Sequence, residues 1–274
     1  MTTRRTFLSA STVAGPALSL ASSALQAAAA KHGFVLGVAS YSLRKFPRAK
    51  AIEMIKACNA PYVSVKSFHL DYKATPEEFA LAKKEFKSAG LTVLSGGNID
   101  LKGDDAQLRA MFEYAKAAGF PTIVCAPSHK TVGAVEKLVK EYNIKAAIHN
   151  HGPEDKEFPT PQSVLDAVKG MDPRMGLCID IGHTSRTGAD IVESIANAGP
   201  RLFDMHFKDL ADPMNKDSQV AVGEGKLPIK AIFTQLKKQG YNRGCMLEYE
   251  IKADDPLPGM VKSLDYMRSV LSNL

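Results

Sequence analysis

Short apolar runs alternate with amphipathic segments over most of the chain. Runs of this length, bounded by glycine, proline or polar residues, predict buried strands. The runs occupy 34–42, 62–68, 91–97, 121–127, 144–150, 175–182, 201–207 and 244–250. The hydrophobic pattern therefore predicts eight strands.

The segments between these runs carry apolar residues at helical spacing. In 76–90, Phe79, Ala82 and Phe86 fall on one face, a proline stands in the first turn and a glycine follows the last turn. The segment 105–119 has the same design. Similar helices are predicted at 48–58, 131–142, 161–169, 188–198, 228–239 and 258–272.

Strands that alternate with helices in this way form a parallel sheet. Eight strand–helix units in one chain predict an α/β fold of the closed (β/α)8 type, a TIM barrel, as a single domain over 31–274. The alternative is an open doubly wound sheet, which usually carries a phosphate-binding glycine turn after its first strand. The stretch "GVASYSLRKFP" (37–47) is not such a turn, so the pattern favours the barrel.

The composition is ordinary for a soluble globular protein, with 45% hydrophobic and 23% charged residues. The formal net charge is +6, and Arg4 and Arg5 contribute two of these charges. No run of Lys or Arg is interleaved with aromatic residues, so nucleic acid is not an expected partner.

Residues 1–30 have the layout of a secretory signal peptide, with a basic start, an apolar middle and a small-residue end. The stretch "TTRRTFL" resembles the twin-arginine export signal, which implies export of the folded protein to the periplasm. Cleavage is expected within 27–30. A stable membrane anchor is disfavoured because the apolar run is short and rich in Ser and Ala.

The four cysteines match no CxxC metal-binding spacing. An oxidising compartment would permit disulfides, but Cys125, Cys178 and Cys245 sit in apolar strand-like runs. Buried free thiols are therefore expected at these positions, and no cysteine-based structural zinc site is predicted.

The histidines cluster with respect to the predicted strands. Six of the seven fall at or just after strand ends: His69, His129, His149, His151, His183 and His206. Histidines scattered over the surface would also occupy helices, and none does. In a TIM barrel the active site lies at the carboxyl ends of the strands, so these side chains are predicted to gather at one mouth.

The alternation of side chains along a strand sharpens this prediction. Residues two apart share a face, so His149 and His151 point the same way. The same argument pairs His206 with Lys208 and Glu248 with Glu250. These four side chains and Asp180 are predicted to converge at the same mouth of the barrel. Imidazole and carboxylate ligands in one cluster suit a divalent cation such as Mn, Mg, Co or Zn.

Four motifs lie in order along the later strands: "CIDIGH" (178–183), "MHFKD" (205–209), "AVGEGKL" (221–227) and "LEYE" (247–250). Together they resemble the motifs of the sugar-phosphate isomerase/epimerase superfamily, whose members have a xylose isomerase-like barrel. The similarity extends from 34 to the end of the chain. It implies metal-dependent chemistry on a small-molecule carbohydrate and specifies no particular sugar.

The resemblance also implies roles for individual residues. It assigns Asp180, His206 and Glu248 as metal ligands and His183 as a group that holds a substrate hydroxyl. The remaining ligand in sugar epimerases is usually a Glu, whereas the matching position here is His149. This replacement lowers the negative charge of the site by one and removes a carboxylate that would serve as a base.

The expected chemistry is removal of a proton next to a carbonyl. Candidates for the base are His151, Lys66 and the free face of Glu248, although Lys66 would equally suit an ion pair with a barrel carboxylate. Further candidates for substrate contacts are His69, His129, Lys208 and Glu250. The long loop at 210–227 is of the kind that often closes over substrate.

Three functions stay open. The first is a divalent-metal-dependent sugar isomerase or epimerase. The second is a metal-dependent lyase or hydratase that cleaves 3-keto-glycosides by β-elimination, because the variant "HNHG" (149–152) is similar to proteins associated with that reaction. The third is a non-catalytic periplasmic sugar-binding barrel. A zinc nuclease of the same fold is disfavoured by the mild charge, and a homo-oligomer stays open.

Overall fold

The structure is a computed structural model that describes Gly33 and residues 35–274. The predicted signal peptide over residues 1–30 lies outside the described residues, so the prediction of twin-arginine export stays a prediction. None of the helices described is long and apolar enough to cross a bilayer.

Eight parallel strands form a closed barrel, and a short hairpin follows the seventh strand. Around the barrel the strand order is β1-β10-β7-β6-β5-β4-β3-β2, and β8 pairs with β9. The ten strands are β1 (Val35–Ala39), β2 (Tyr62–Val65), β3 (Thr92–Leu101), β4 (Thr122–Pro127), β5 (Lys145–His149), β6 (Met175–Asp180), β7 (Leu202–Phe207), β8 (Asp209–Leu210), β9 (Gln219–Val220) and β10 (Gly244–Leu247). The predicted (β/α)8 barrel is confirmed.

Helices surround the barrel, at the places where amphipathic segments predict them. They are α1 (Arg48–Ala57), α2 (Pro76–Ser88), α3 (Asp105–Ala118), α4 (Val132–Tyr142), α5 (Pro161–Ala167), α6 (Ile181–Arg186), α7 (Ile191–Ala198), α8 (Ile229–Lys238) and α9 (Leu257–Ser272). The short α6 is the exception, because the apolar run 175–182 predicts strand there. The Asp180 side chain accepts a hydrogen bond from the backbone N–H of His183, which ends the strand and starts this helix.

The register of the barrel strands sets which side chains lie next to one another. Asp180 on β6 is paired with His206 on β7, and His149 on β5 is paired with Cys178 on β6. Side chains of paired residues on neighbouring strands point to the same side of the sheet. These four residues therefore project toward the barrel axis in adjacent layers.

The long connection after β7 is an ordered part of the barrel mouth. Asp209 accepts hydrogen bonds from the backbone N–H groups of Gly223, Gly225 and Leu227, at 2.9, 3.1 and 3.0 Å. The side-chain amide of Gln219 donates to the backbone carbonyl of Glu248 at 2.8 Å. The motif "AVGEGKL" thus wraps around one buried carboxylate, which explains its glycines: a Cβ at Gly225 would collide with Asp209.

All four cysteines are buried and free: Cys58, Cys125, Cys178 and Cys245. This confirms the expectation of buried thiols. Burial raises the pKa of the Cys178 thiol to about 12, although His206 beside it acts in the opposite direction.

Candidate metal centre

Four side chains from four strand ends converge at the mouth of the barrel. His149, Asp180, His206 and Glu248 each offer one nitrogen or oxygen, and these atoms all lie within 4.8 Å of one another. The four residues are those that the motif resemblance and the substitution at position 149 single out.

The two imidazoles turn nitrogen atoms toward each other. His149 Nε2 lies 3.1 Å from His206 Nδ1 and 3.6 Å from Asp180 Oδ2. Burial lowers the pKa of His149 to about 4, so this imidazole is neutral near pH 7 and its lone pair is available to a cation. Although burial opposes it, Cys178 and the carboxylate of Glu248, which both contact the ring, hold the pKa of His206 well above its usual value.

The carboxylates are arranged around one buried ammonium group. Lys208 Nζ lies 3.0 Å from both Asp180 Oδ2 and Glu248 Oε2, and it also bonds to Glu250. Although burial opposes the shift, these three carboxylates keep the pKa of Lys208 well above its usual range. Although burial opposes this shift too, the neighbouring His183 ring and the Lys208 ammonium hold the pKa of Asp180 well below its usual value.

A divalent cation fits this donor set. With Lys208 charged and His206 in the neutral form that binds a metal, the three carboxylates of Asp180, Glu248 and Glu250 leave two net negative charges, which such an ion would neutralise. The buried Asp180 Oδ2 is paired with the Lys208 ammonium at 3.0 Å but makes no hydrogen bond among the described residues, so it keeps a lone pair that a cation could use. Two imidazoles and two carboxylates suit Mn, Co or Zn better than Mg, which prefers all-oxygen sites.

A second donor set lies one layer deeper in the barrel. His149, Cys178 and His206 also bring their nitrogen and sulfur atoms within 4.8 Å of one another. The spacing of the cysteines along the chain does not predict this set, because it is the strand register that places Cys178 beside His149. A thiophilic cation such as zinc could bind either to this set or to the set of His149, Asp180, His206 and Glu248.

A cavity of about 240 Å³ opens at the barrel mouth, and two of the four predicted ligands, His149 and Glu248, line it. Its lining residues are Tyr41, Lys66, Asn98, His149, His151, His183, Glu248 and Glu250. A second cavity, of about 380 Å³, shares His183 and Glu250 with the first and reaches Lys208 and Gln219. The structure thus brings together every predicted site residue except two.

His151 is held by polar groups on both ring nitrogens. Nε2 lies 2.7 Å from Asn98 Nδ2, and Nδ1 lies 3.3 Å from Asp155 Oδ2. An amide N–H only donates, so Nε2 accepts and the proton of the neutral ring is on Nδ1, toward the carboxylate. Burial lowers the pKa of His151, which also favours the neutral ring. The Nε2 lone pair thus faces the amide of Asn98, which lines the same cavity.

Lys66 reaches the cavity without an ion pair. Its Nζ donates to the backbone carbonyl of Asn98, and no carboxylate within 4 Å of it is recorded among the described residues. Burial lowers the pKa of Lys66, with Glu248 and Asp100 acting in the opposite direction. Lys66 therefore lies at the mouth, as the strand alternation predicts, and it is tied to the same residue as His151.

The two remaining histidines do not join the site. His69 is 2% exposed, and its ring nitrogens bond to Ser40 Oγ at 2.9 Å and to two backbone carbonyls at 3.2 Å. His129 is exposed and packs its ring on Phe158, with ring centroids 4.8 Å apart. The expectation that these two histidines contact substrate finds no support in their positions.

The structural role of His69 can be tested by replacing it with glutamine. We expect the free energy of unfolding at neutral pH to fall by about 1–3 kcal/mol, because buried carbonyl groups lose their donor. Burial lowers the pKa of His69, so the unfolded chain takes up a proton before the native chain as pH falls through about 6.5. Acidification therefore lowers the free energy of unfolding of the wild type through His69, and this loss is absent from the variant.

Urea unfolding at several pH values measures both effects. The difference in the free energy of unfolding between the two proteins should become smaller below about pH 6.5. The variant should bind metal as the wild type does. A variant with normal stability and impaired metal or ligand binding would show that His69 acts in the site after all.

Three residues of the site escape sequence reasoning. Asn98 directly follows the third predicted strand, so the rule of strand ends would have found it had amides been considered. Tyr41 lies within the first predicted strand, whereas the chain already forms a 3₁₀ turn there. Arg186 lies on α6, which the strand pattern conceals, and it contacts His183.

The chain was compared with known protein families and solved structures. A family model described as a xylose isomerase-like TIM barrel matches residues 49–270. No curated protein matches the chain. A solved structure of an uncharacterized protein from Parabacteroides distasonis is 25% identical, with a TM-score of 0.69 over 86% of this chain and 99% of that chain.

Two further solved structures share the fold. The IOLI protein, solved with a bound zinc atom, is 16% identical, with a TM-score of 0.73 over 87% of this chain and 98% of that chain. A D-psicose 3-epimerase from Clostridium cellulolyticum, solved with D-tagatose, is also 16% identical, with a TM-score of 0.71 over 86% of this chain and 99% of that chain. At this identity the likeness concerns the fold.

Proposed function

The chain belongs to the xylose isomerase-like TIM barrel family, and from this premise we propose that it is a divalent-metal-dependent enzyme that isomerises or epimerises a small sugar. The observation that carries the proposal is the convergence of two imidazoles and two carboxylates under a polar cavity. The zinc atom in one structural neighbour and the epimerase activity named for another support it.

The predicted ligands are His149, Asp180, His206 and Glu248. A divalent ion held there would polarise the carbonyl group of a sugar and acidify the neighbouring C–H bond. The protein's own part is to bind the sugar over this centre, to exclude water and to move one proton. Lys208, at 3.0 Å from two of the ligands, keeps their carboxylates in place and balances their charge.

We assign the proton transfer to His151. A general base must offer a lone pair to the substrate. The carboxylate of Asp155 holds the His151 proton on Nδ1, and the Nε2 lone pair becomes available when the Asn98 amide donates to a substrate oxygen instead. Lys66 and Asn98 lie beside it and would hold a substrate oxygen by donating hydrogen bonds. Glu248 is less suited to this task because His206 and Lys208 already engage its carboxylate.

The imidazole at position 149 favours a second candidate, a lyase that eliminates a group from a 3-keto-glycoside. Two-base epimerisation in this superfamily uses a Glu on each face of the sugar. Here the carboxylates that line the cavity, Glu248 and Glu250, both follow β10, while the end of β5 offers imidazoles. Elimination needs one base next to the carbonyl, and this arrangement supplies it.

One NMR experiment in deuterated water separates these reactions. Metal-loaded protein is incubated with ketohexoses and, side by side, with 3-keto-glucosides. An isomerase or epimerase is expected to exchange the hydrogen next to the carbonyl for deuterium without breaking the sugar. A lyase releases the aglycone or a second sugar, and chelation should stop either reaction.

The same experiment can reject the proposal. If the metal-loaded protein neither exchanges hydrogen nor cleaves any of these sugars, yet binds them equally well after chelation, it is a sugar-binding barrel.

We also propose that residues 1–30 export the folded protein. Detection of the mature chain in the cytoplasmic fraction alone would contradict this.

A further inference from the structure

A buried arginine that the family resemblance does not assign contacts the candidate site. Arg186 has a side chain only 6% exposed, and its Nη1 donates to both carboxylate oxygens of Glu154, at 2.5 and 2.7 Å. Its Nη2 lies 2.7 Å from His183 Nδ1 and 3.3 Å from the backbone carbonyl of His151. The guanidinium thus touches both histidine-bearing segments of the cavity.

The chemistry of arginine fixes the direction of the bond to His183. A guanidinium group stays protonated in proteins and has donors but no acceptor. His183 Nδ1 must therefore accept, which excludes a proton on that nitrogen. A neutral His183 ring in contact with Arg186 carries its proton on Nε2.

The protonated nitrogen of His183 is on the side of the ring that faces the predicted metal ligands. His183 Nε2 lies 4.0 Å from Asp180 Oδ2, and the ring lines both cavities. We propose that Arg186 is a positioning residue that fixes His183 as a hydrogen-bond donor to a carbonyl or hydroxyl oxygen of the substrate. The substrate part of this inference rests on the proposed function, whereas the tautomer does not.

The inference gives two neighbouring imidazoles opposite tasks. The His151 and His183 rings lie 5.8 Å apart at their centroids. His151 Nε2 accepts from Asn98, so that nitrogen is a base, while Arg186 makes His183 Nε2 a donor. A sugar oxygen between the rings would accept a hydrogen bond from His183 Nε2. The adjacent carbon would lie beside His151 Nε2, the nitrogen that takes up its proton.

The loop after β5 is shaped to admit the guanidinium. Gly152 has a φ of +84°, and a Cβ there would lie 2.7 Å from Arg186 Nη2. Any other residue at this position would be strained and would push the arginine away from His183. Glu154, with a side chain 58% exposed, anchors the outer edge of the guanidinium and serves as a matched control.

Long-range proton–nitrogen NMR of the histidine rings tests the inference without any substrate. The His183 signals are assigned from their loss in His183→Gln. In the wild type, with and without added zinc, we expect Nε2 to carry the proton. In Arg186→Met the proton should redistribute toward Nδ1, whereas Glu154→Gln, which keeps the arginine, should retain the wild-type tautomer.

Two outcomes would overturn the inference. One is a proton on His183 Nδ1 in the wild type, which needs no variant to fold. The other is an unchanged Nε2 tautomer in Arg186→Met. Once a substrate is known, Arg186→Met should lower kcat by about 10- to 100-fold, the range for outer partners of a site, with KM nearly unchanged. A protein that shows the tautomer but no activity would refute the proposed function and leave the role of Arg186 intact.

Discussion

Replacing Asp180 with asparagine is expected to lower the affinity for a divalent ion by at least about 100-fold. Loss of a residue that only orients a metal ligand already costs up to about 100-fold in metal affinity, and Asp180 is a predicted ligand itself. Asp180 is fully buried, supplies one of the four converging donor atoms and carries a negative charge that the asparagine lacks. The amide keeps the size of the side chain and leaves an acceptor for the N–H of His183. Calorimetric titration with Zn and Mn measures the loss.

Asp190→Asn is the matched control for this variant. Asp190 caps α7 as Asp180 caps α6, with a side-chain oxygen 2.9 Å from the N–H of Glu193, but it lies outside the cluster. Any effect of weakening a helix cap should appear in both variants, whereas the loss of metal should appear only in Asp180→Asn. Equal metal binding by the two variants would show that the cluster is not the site.

Replacing His151 with glutamine is expected to lower kcat by about 10²- to 10⁴-fold, the usual contribution of a general base. The ring lines the cavity, Asp155 holds its proton on Nδ1, and its Nε2 lone pair becomes available when the Asn98 amide donates to a substrate oxygen instead. Because His151 does not belong to the metal cluster, metal content should stay at the wild-type level. The rate of deuterium exchange next to the carbonyl measures the proton transfer itself.

His129→Gln is the control for the loss of an imidazole from a strand end. His129 is exposed and packs on Phe158 outside the cavity, so exchange should continue at the wild-type rate. Exchange that persists in His151→Gln and disappears in Lys66→Met would transfer the role of base to Lys66.

The fold and most of the site follow from local patterns in the sequence. Eight apolar runs separated by amphipathic segments determine a parallel barrel, and that fold sends every strand end to one mouth. His149, Asp180, His206 and Glu248 then meet because they occupy the ends of β5, β6, β7 and β10. Their convergence needs no information beyond strand position and alternation.

The same rule cannot separate functional histidines from structural ones. His69 and His183 both follow a strand end, yet His69 turns into the protein to bond with Ser40 and two carbonyls of the turn after β1. Those partners lie more than twenty positions away in sequence, and only the folded chain brings them to the ring. Position after a strand therefore predicts the neighbourhood of a side chain but not its direction.

Two contacts in the site also could not be predicted from the sequence. Cys178 approaches His149 through the strand register, which no local pattern specifies. Arg186 is hidden because the apolar run 175–182 continues into α6, and only the cap formed by Asp180 reveals the helix. Cys178 thus meets His149 through the neighbouring strand, whereas Arg186 meets His183 through the helical spacing of three residues within α6.

X-ray absorption spectroscopy of the zinc-loaded protein tests the central claim most directly. We predict one zinc ion per chain with nitrogen and oxygen neighbours at about 2.0–2.2 Å, including two imidazoles, as His149, Asp180, His206 and Glu248 would provide. Zinc with a sulfur neighbour at about 2.3 Å would place the ion at the deeper set that contains Cys178. That result, or a protein that binds no divalent ion, would contradict the account.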